Sequence, residues 1–194
     1  MIGLDLSSEM LGQAACKEKF ALVRADAETL PFEAGSFDRI LCINSFHHFS
    51  DKRSFVTEIR RVLREGGGFT TIGLDPYTGA ERWWIYDYFE NTMELDRQRY
   101  LSGKATCDML AAAGFQDCRT DAVQHFAGAV SARRSLERGD ADRRATSQLA
   151  ILTNAEYERG VQKIQEEIAA AERCGQELRL ITDRHLYASS GWLR

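Results

Sequence analysis

The chain has 194 residues, 44% hydrophobic and 28% charged, with a formal net charge of -4. That size predicts one domain with a real core and the balance of a soluble globular protein. The weak acidity offers no footing for nucleic acid or anionic membrane, and no apolar run reaches the length of a membrane span. The start Met1-Ile2-Gly3-Leu4-Asp5 lacks the basic and apolar regions of a signal peptide. Five scattered cysteines (Cys16, Cys42, Cys107, Cys118, Cys174) have no paired spacing, which argues against a disulfide framework or a zinc site. They are expected to be reduced, mostly buried thiols of a cytoplasmic protein.

In chain order, Ile2 to Leu6 reads as a short strand ending in an acid, Asp5. Ser7 or Ser8 can cap a helix carrying Met10, Leu11 and Ala14. Phe20 to Arg24 is a second strand, stopped by Ala25-Asp26-Ala27-Glu28, and Leu30-Pro31-Phe32 with Gly35 makes a loop. The run Ile40 to Ile43 is short, unbroken and apolar, so it is expected to be a strand buried on both faces. At its carboxyl end the chemistry turns polar, with Asn44, Ser45, His47 and His48. Ligands of open α/β sheets bind beyond such strand ends.

Ser50 or Asp51 caps the next helix, whose apolar stripe is Phe55, Ile59, Val62 and Leu63. Glu65-Gly66-Gly67-Gly68 is expected to end it, and Phe69 to Leu74 is the next strand. The alternation predicts an α/β fold with a largely parallel sheet. Trp83 to Leu95 is aromatic and expected to be helical, and Ala105 to Ala113 is a helix closed by Gly114. Phe115 to Val123 and Phe126 to Val130 hold strand-like pieces, and residues 131–147 are charged and weakly patterned. Tyr157, Val161, Ile164 and Ile168 mark a long amphipathic helix ending near Cys174-Gly175. Leu178 to Ile181 and His185 to Trp192 are terminal strand pieces.

Four of these segments carry a resemblance. Ile2-Gly3-Leu4-Asp5-Leu6-Ser7-Ser8-Glu9-Met10-Leu11 resembles the second-strand motif of class I S-adenosylmethionine-dependent methyltransferases, of the type 11-like kind. Ala25-Asp26-Ala27-Glu28 with Leu30-Pro31-Phe32 resembles their next motif, and Phe37-Asp38 through His48-Phe49 their fourth-strand motif. Arg60 to Gly68 is similar to the helix-to-strand turn that follows. Four motifs in order over residues 2–74 are specific where any one would be weak. The resemblance implies a Rossmann-like three-layer α/β sandwich with a mostly parallel sheet. It also implies a helical insertion over residues 131–175, before the last strand.

It further implies S-adenosyl-L-methionine as cofactor and a small-molecule acceptor. Asp5 would accept hydrogen bonds from the ribose hydroxyls, unless it merely caps the helix. Asp26 would accept from the adenine amino group, with the Ala27 N–H donating to a ring nitrogen, unless Asp26 only turns the chain. Met10 and Leu30 would pack on the adenine faces, unless either is simply core. Leu6 would join the cofactor site, and Asn44 and Ser45 would line the methionine half through their backbone groups more than their side chains. His47 or His48 would serve as catalytic base, unless the pair only packs. Trp83, Trp84 and Tyr88 would wall the substrate or pack on the sheet. No metal is called for.

The family's first strand and glycine-rich turn have no counterpart, because the chain starts at the second-strand motif. A single, amino-terminally truncated domain is expected, with the strands at Ile2 and Ile40 lacking a neighbour. Two further readings are a non-catalytic interaction module on the same scaffold and a nicotinamide-dependent oxidoreductase. The polar rim at Asn44–Phe49 and the triple glycine argue against the oxidoreductase.

Overall fold

The structure, a computed structural model, describes residues 1–17, 20–79 and 81–194. They form two compact units. Unit 1 comprises residues 1–73, 103–121 and 188–194, and unit 2 comprises residues 74–102 and 122–187.

Unit 1 opens with β1 (Ile2–Asp5), α1 (Ser8–Ala15) and β2 (Ala21–Arg24). β1 and β2 run parallel in register from Ile2 opposite Ala21 to Asp5 opposite Arg24. Then come β3 (Phe37–Ile43), a 3-10 turn (Phe46–His48), α2 (Lys52–Val62) and β4 (Leu63–Gly73). β3 and β4 are also parallel, as a helical crossover requires, and reach Ile43 opposite Ile72.

α2 forms where Asp51 caps it: one carboxylate oxygen accepts from the Arg53 and Ser54 N–H groups at 3.0 Å each. Its buried side is Phe55, Val56, Ile59 and Val62. Around it Phe49, Phe55, Phe69 and Phe115 form a chain of ring contacts, 4.5 to 6.5 Å between successive centroids. α5 (Gly103–Ala112) adds Leu110, and Gly114 leaves that helix at a φ of +93°.

Two expectations about this unit need correction. The run Glu65–Gly68 does not end α2; the helix stops at Val62 and the glycines lie inside β4. Leu63 pairs with Phe37, yet Gly68 already pairs with Arg39, so the extra residues of β4 bulge out. Gly66 takes a φ of +71° there, and a Cβ on Gly68 would sit 2.9 Å from the Trp192 indole nitrogen. β3, in turn, is buried on one face only. Cys42 faces the core, but Leu41 is 58% and Ile43 51% exposed. β1 and β2 form a separate two-stranded sheet, and β3 is the end strand of the five-stranded one. Both β1 and β3 therefore keep a free edge among the described residues.

Unit 2 begins with β5 (Arg82–Trp83), α3 (Trp84–Tyr88) and α4 (Thr92–Arg99), so the single helix expected over Trp83–Leu95 is a short strand and two helices. Asn91 breaks it at a φ of +65°. The pieces expected at 115–130 are one strand, β6 (Gln116–Ser131), which has residues in both units. Within unit 2, residues 122–130 of β6 are all exposed. α6 (Ala132–Glu137), α7 (Ser147–Ala150) and the long α8 (Asn154–Arg173) follow. α8 starts on a capping box, with Thr153 and Glu156 bonding each other's backbone N–H, and its chain exit is Gly175 at +68°. The two terminal pieces are likewise one strand, β7 (Arg179–Trp192), which pairs antiparallel with β5 and also pairs with β6. The core of unit 2 gathers Trp83, Trp84, Ile85, Phe89, Leu149 and Ile164.

The cysteine expectation holds only in part. All five are free thiols, but only Cys42 is buried, while Cys16 and Cys174 are exposed. No helix among the described residues is long and apolar enough to cross a membrane.

Gly160 in α8 gives a stability test. In an open helix, alanine in place of glycine stabilises by about 1 kcal/mol. Here the added methyl would overlap Cδ1 of the fully buried Phe89. Gly160→Ala should instead destabilise the protein by about 1–3 kcal/mol, as overpacking does. Urea denaturation followed by circular dichroism checks the sign.

Candidate active site

Two strand ends of unit 1 carry the candidate cofactor residues. Asp5 closes β1, and its Oδ1 accepts from the Ser7 N–H at 2.8 Å. Ser7 in turn caps α1, its Oγ accepting from the Met10 N–H at 3.3 Å. Asp26 follows β2, and its Oδ1 accepts from the Glu28 N–H at 2.9 Å. The two carboxylates are thus built alike. A following turn fixes one oxygen, and the other makes no hydrogen bond among the described residues. The parallel register sets both at the same end of the β1–β2 pair, and the Ala25 N–H donates to the Asp5 carbonyl at 3.3 Å. Beside Asp5, Leu6 and Met10 are exposed apolar side chains, while Ala27 is half-buried.

The rim after β3 is the second group. Asn44 takes a φ of +49°, uncommon for a residue with a side chain, and its N–H donates to the Ile72 carbonyl at 2.8 Å. The Ser45 hydroxyl donates back to the Ile43 carbonyl at 3.0 Å. The 3-10 turn then places His47 and His48 with ring centroids 4.0 Å apart, tilted by 41°. His47 is only 7% exposed, whereas His48 is exposed. The neighbouring Cys42 is no nucleophile: burial pushes its thiol up to about 11, so it stays protonated near neutral pH.

The two groups are tied by Glu28, which sequence reading noticed only as the last residue of the segment Ala25–Glu28, with no role of its own. Its Oε1 accepts from the Ser50 hydroxyl at 2.8 Å and the Asp51 N–H at 2.9 Å. The loop carrying Asp26 is thereby fastened to the segment that follows the histidines. Those two hydrogen bonds hold the Glu28 carboxyl below its usual range. Farther along, α2 grips the Leu30–Phe32 loop. Arg61 donates to the Leu30 and Phe32 carbonyls at 2.9 and 2.7 Å, and Glu58 accepts from the Leu30 N–H at 2.8 Å. Polarity and spacing gave no hint of Glu28, because both its partners lie more than twenty residues on.

The aromatic candidates lie elsewhere, in the core of unit 2. Trp83 and Trp84 are buried there, and the Tyr88 hydroxyl donates to Glu167 at 2.5 Å. Burial and that carboxylate push the Tyr88 phenol up. The structure therefore brings Asp5, Leu6, Met10, Asp26 and Ala27 together, and Asn44, Ser45, His47 and His48 together, both within unit 1. Trp83, Trp84 and Tyr88 are not an open wall; they pack.

Residues 1–71 match the sequence model of a family described as the methyltransferase domain. The sequence similarity to that domain is confined to this amino-terminal part. Over 86 residues the chain is 40% identical to phthiotriol/phenolphthiotriol dimycocerosates methyltransferase of Mycobacterium tuberculosis, a stretch covering 42% of this chain and 31% of that protein. The match thus spans about a third of the curated relative. The fold reaches further. A protein from Anabaena variabilis, described as a methyltransferase from an antibiotic biosynthesis pathway, superposes with a TM-score of 0.69 at 20% identity, covering 99% of this chain and 81% of that one. Phosphoethanolamine N-methyltransferase 2 of Haemonchus contortus, solved with S-adenosyl-L-methionine, gives 0.54 at 17% identity, covering 99% of this chain and 43% of that one. The resemblance to class I S-adenosylmethionine-dependent methyltransferases thus holds in sequence over residues 1–71. In fold, the Rossmann-like α/β architecture holds over nearly the whole chain.

Glu28 supplies the test of this site. Its lowered pKa means the tie is present above the ordinary glutamate range and is lost only as pH falls through the lowered value. A carbon-detected NMR titration should put the Glu28 carboxyl below the ordinary glutamate range. In Glu28→Ala the Asp51 amide should exchange with solvent measurably faster while the fold persists. Unchanged exchange would mean that the tie does not hold the two segments.

Proposed function

We propose that this chain performs S-adenosylmethionine-dependent methyl transfer to a small-molecule acceptor. The pair Asp5 and Asp26 carries the reading: two strand-end carboxylates, each with one oxygen fixed and the other open, beside exposed Leu6 and Met10. These residues fit an adenosine. Open carboxylate oxygens suit ribose hydroxyls at Asp5 and an amino group at Asp26, and the apolar side chains suit the faces of a purine.

When bound, S-adenosylmethionine supplies a methyl group activated by a sulfonium. The chain's own work is placement and proton handling. Asp5 and Asp26 fix the nucleoside, and the bent backbone at Asn44 and Ser45 borders the amino-acid end. His48, the exposed member of the pair, takes the proton that the acceptor oxygen or nitrogen sheds, and His47 holds its ring. No covalent enzyme intermediate is needed, so alignment of donor and acceptor accounts for much of the rate.

The split sheet supports one more element of the reading. β1 and β3 keep free edges, and Ile2, Leu41 and Ile43 are exposed upon them. We propose that the working domain places a further strand there, with a glycine-rich turn for the cofactor's amino-acid end. The same split favours a second reading, a non-catalytic module on this scaffold. Calorimetry with S-adenosylhomocysteine separates the two, because only the first binds it.

Asp5→Ala should weaken that binding by about 1.5–3 kcal/mol, the worth of hydrogen bonds to a charged group. Equal affinity in a folded variant would remove Asp5 from the ribose. His48→Ala should leave S-adenosylhomocysteine affinity nearly unchanged but lower turnover of a methylated acceptor about 100-fold. Full turnover in His48→Ala and in His47→Ala alike would mean that neither is the base.

A further inference from the structure

Unit 2 buries an unusual amount of charge. Asp96, in α4, is 0% exposed. It is fully engaged: the Tyr86 hydroxyl donates to it at 2.7 Å, Arg99 at 2.6 Å and the Gln148 amide at 2.9 Å. Glu81 is engaged as well, accepting from the His185 N–H at 2.7 Å and the Tyr187 hydroxyl at 2.9 Å. Other arginines of this unit are matched to acceptors. Arg133 donates to Glu172, and Arg143 to Asn154 and the Leu152 carbonyl.

Arg184 has no such acceptor among the described residues, and unlike other unpaired arginines it is stacked on aromatic rings. It lies on β7, half-buried, with its guanidinium carbon 3.9 Å from the centroid of the Trp83 ring and 5.7 Å from that of Phe126. Its Nε is buried and has no hydrogen-bond partner, as is true of Arg99 and Arg143, but those two have acceptors on their other nitrogens. Among the described residues none of its nitrogens forms an ion pair or a side-chain hydrogen bond. Asp96 and Glu81 act on it only through space. Burial pulls its ionisation down, though a guanidinium keeps its proton at any ordinary pH. A stack over an aromatic face satisfies the plane of the group and leaves its in-plane donors unused. A half-buried cation without an acceptor is costly, and an orphaned donor of this kind needs an explanation.

We propose that Arg184, held flat against Trp83, is an oxyanion-recognition site that takes a carboxylate or phosphate group of a small ligand. The planar fork matches two oxygens of either group. The site stands on unit 2 alone. Trp83 keeps a role in ligand binding on this view, not as an exposed wall but as the backing that orients a cation.

The test uses residues 1–194 labelled with nitrogen-15 arginine and no cofactor, so its failure leaves the methyl-transfer reading untouched. Sodium phosphate and sodium acetate are titrated separately, with sodium chloride as the ionic-strength control. The expected result is a saturable shift of one Nε–H resonance with phosphate, acetate or both, absent with chloride. The anion that acts identifies the ligand class. That resonance should be missing from Arg184→Met, which retains an unbranched side chain against Trp83. Arg184→Lys, which keeps the charge but not the fork, should bind the active anion about tenfold or more weakly, as judged by the shifts of the Trp83 indole. No saturable shift with either anion, or a shift that survives in Arg184→Met, would overturn the proposal.

Discussion

Unit 1 depends on the grip that α2 exerts on the loops around it. An isolated two-stranded sheet is at best marginal in water, and β1–β2 is such a sheet here. Its loop is held by Arg61 and Glu58 of the helix, which bond each other as well as the backbone of Leu30 and Phe32. At the other end of the helix the Asp51 N–H, next to the cap, is used by Glu28. Asp26 thus has its position relative to the histidine rim set by one helix and three side chains. Surface ion pairs are worth little singly. Here the same charged groups also bond orphan backbone donors and acceptors, which gives the contacts geometric force.

Unit 2 solves a different problem. Its core holds Trp83, Trp84, Phe89 and Ile164, but a carboxylate lies within the same unit at zero exposure. Asp96 is tolerable because Arg99 neutralises it and Tyr86 and Gln148 occupy its remaining lone pairs. Its field, added to burial, drives the Tyr100 phenol up to about 12. The tyrosines around it therefore remain donors over the physiological range.

Much of unit 1 was legible in the sequence because each signal there is local. The strand ends at Asp5 and after Arg24, the Asp51 cap and the stripe Phe55–Val62 depend on neighbours within a few residues. The triple glycine misled because it serves two non-local purposes, a positive φ at Gly66 and the approach of Trp192 to Gly68. β3 read as doubly buried because an apolar run states what a strand prefers, not what covers it. The aromatic cluster Trp83–Phe89 was ambiguous for a related reason: aromatic side chains suit a ligand wall and a core equally well. Arg184, Asp96 and Gln148 carried no signal at all, since Arg184 meets Trp83 and Asp96 meets Gln148 only through tertiary packing across spans of tens of residues.

The long strand β6 has a practical consequence for anyone handling this protein. From Gln124 to Val130 it reads Gln-His-Phe-Ala-Gly-Ala-Val, without a formal charge or a proline, and every residue is exposed. Only β7 pairs with it among the described residues, so its outer row of peptide groups is open. Such a stretch is a template for another extended chain. The protection it has comes from β7, where Asp183 pairs with His125 and Arg179 donates to the Ala129 carbonyl, both at 2.7 Å. In concentrated solution, self-association should begin along this strand, and a lysine at Ala127 is the simplest way to keep samples monodisperse.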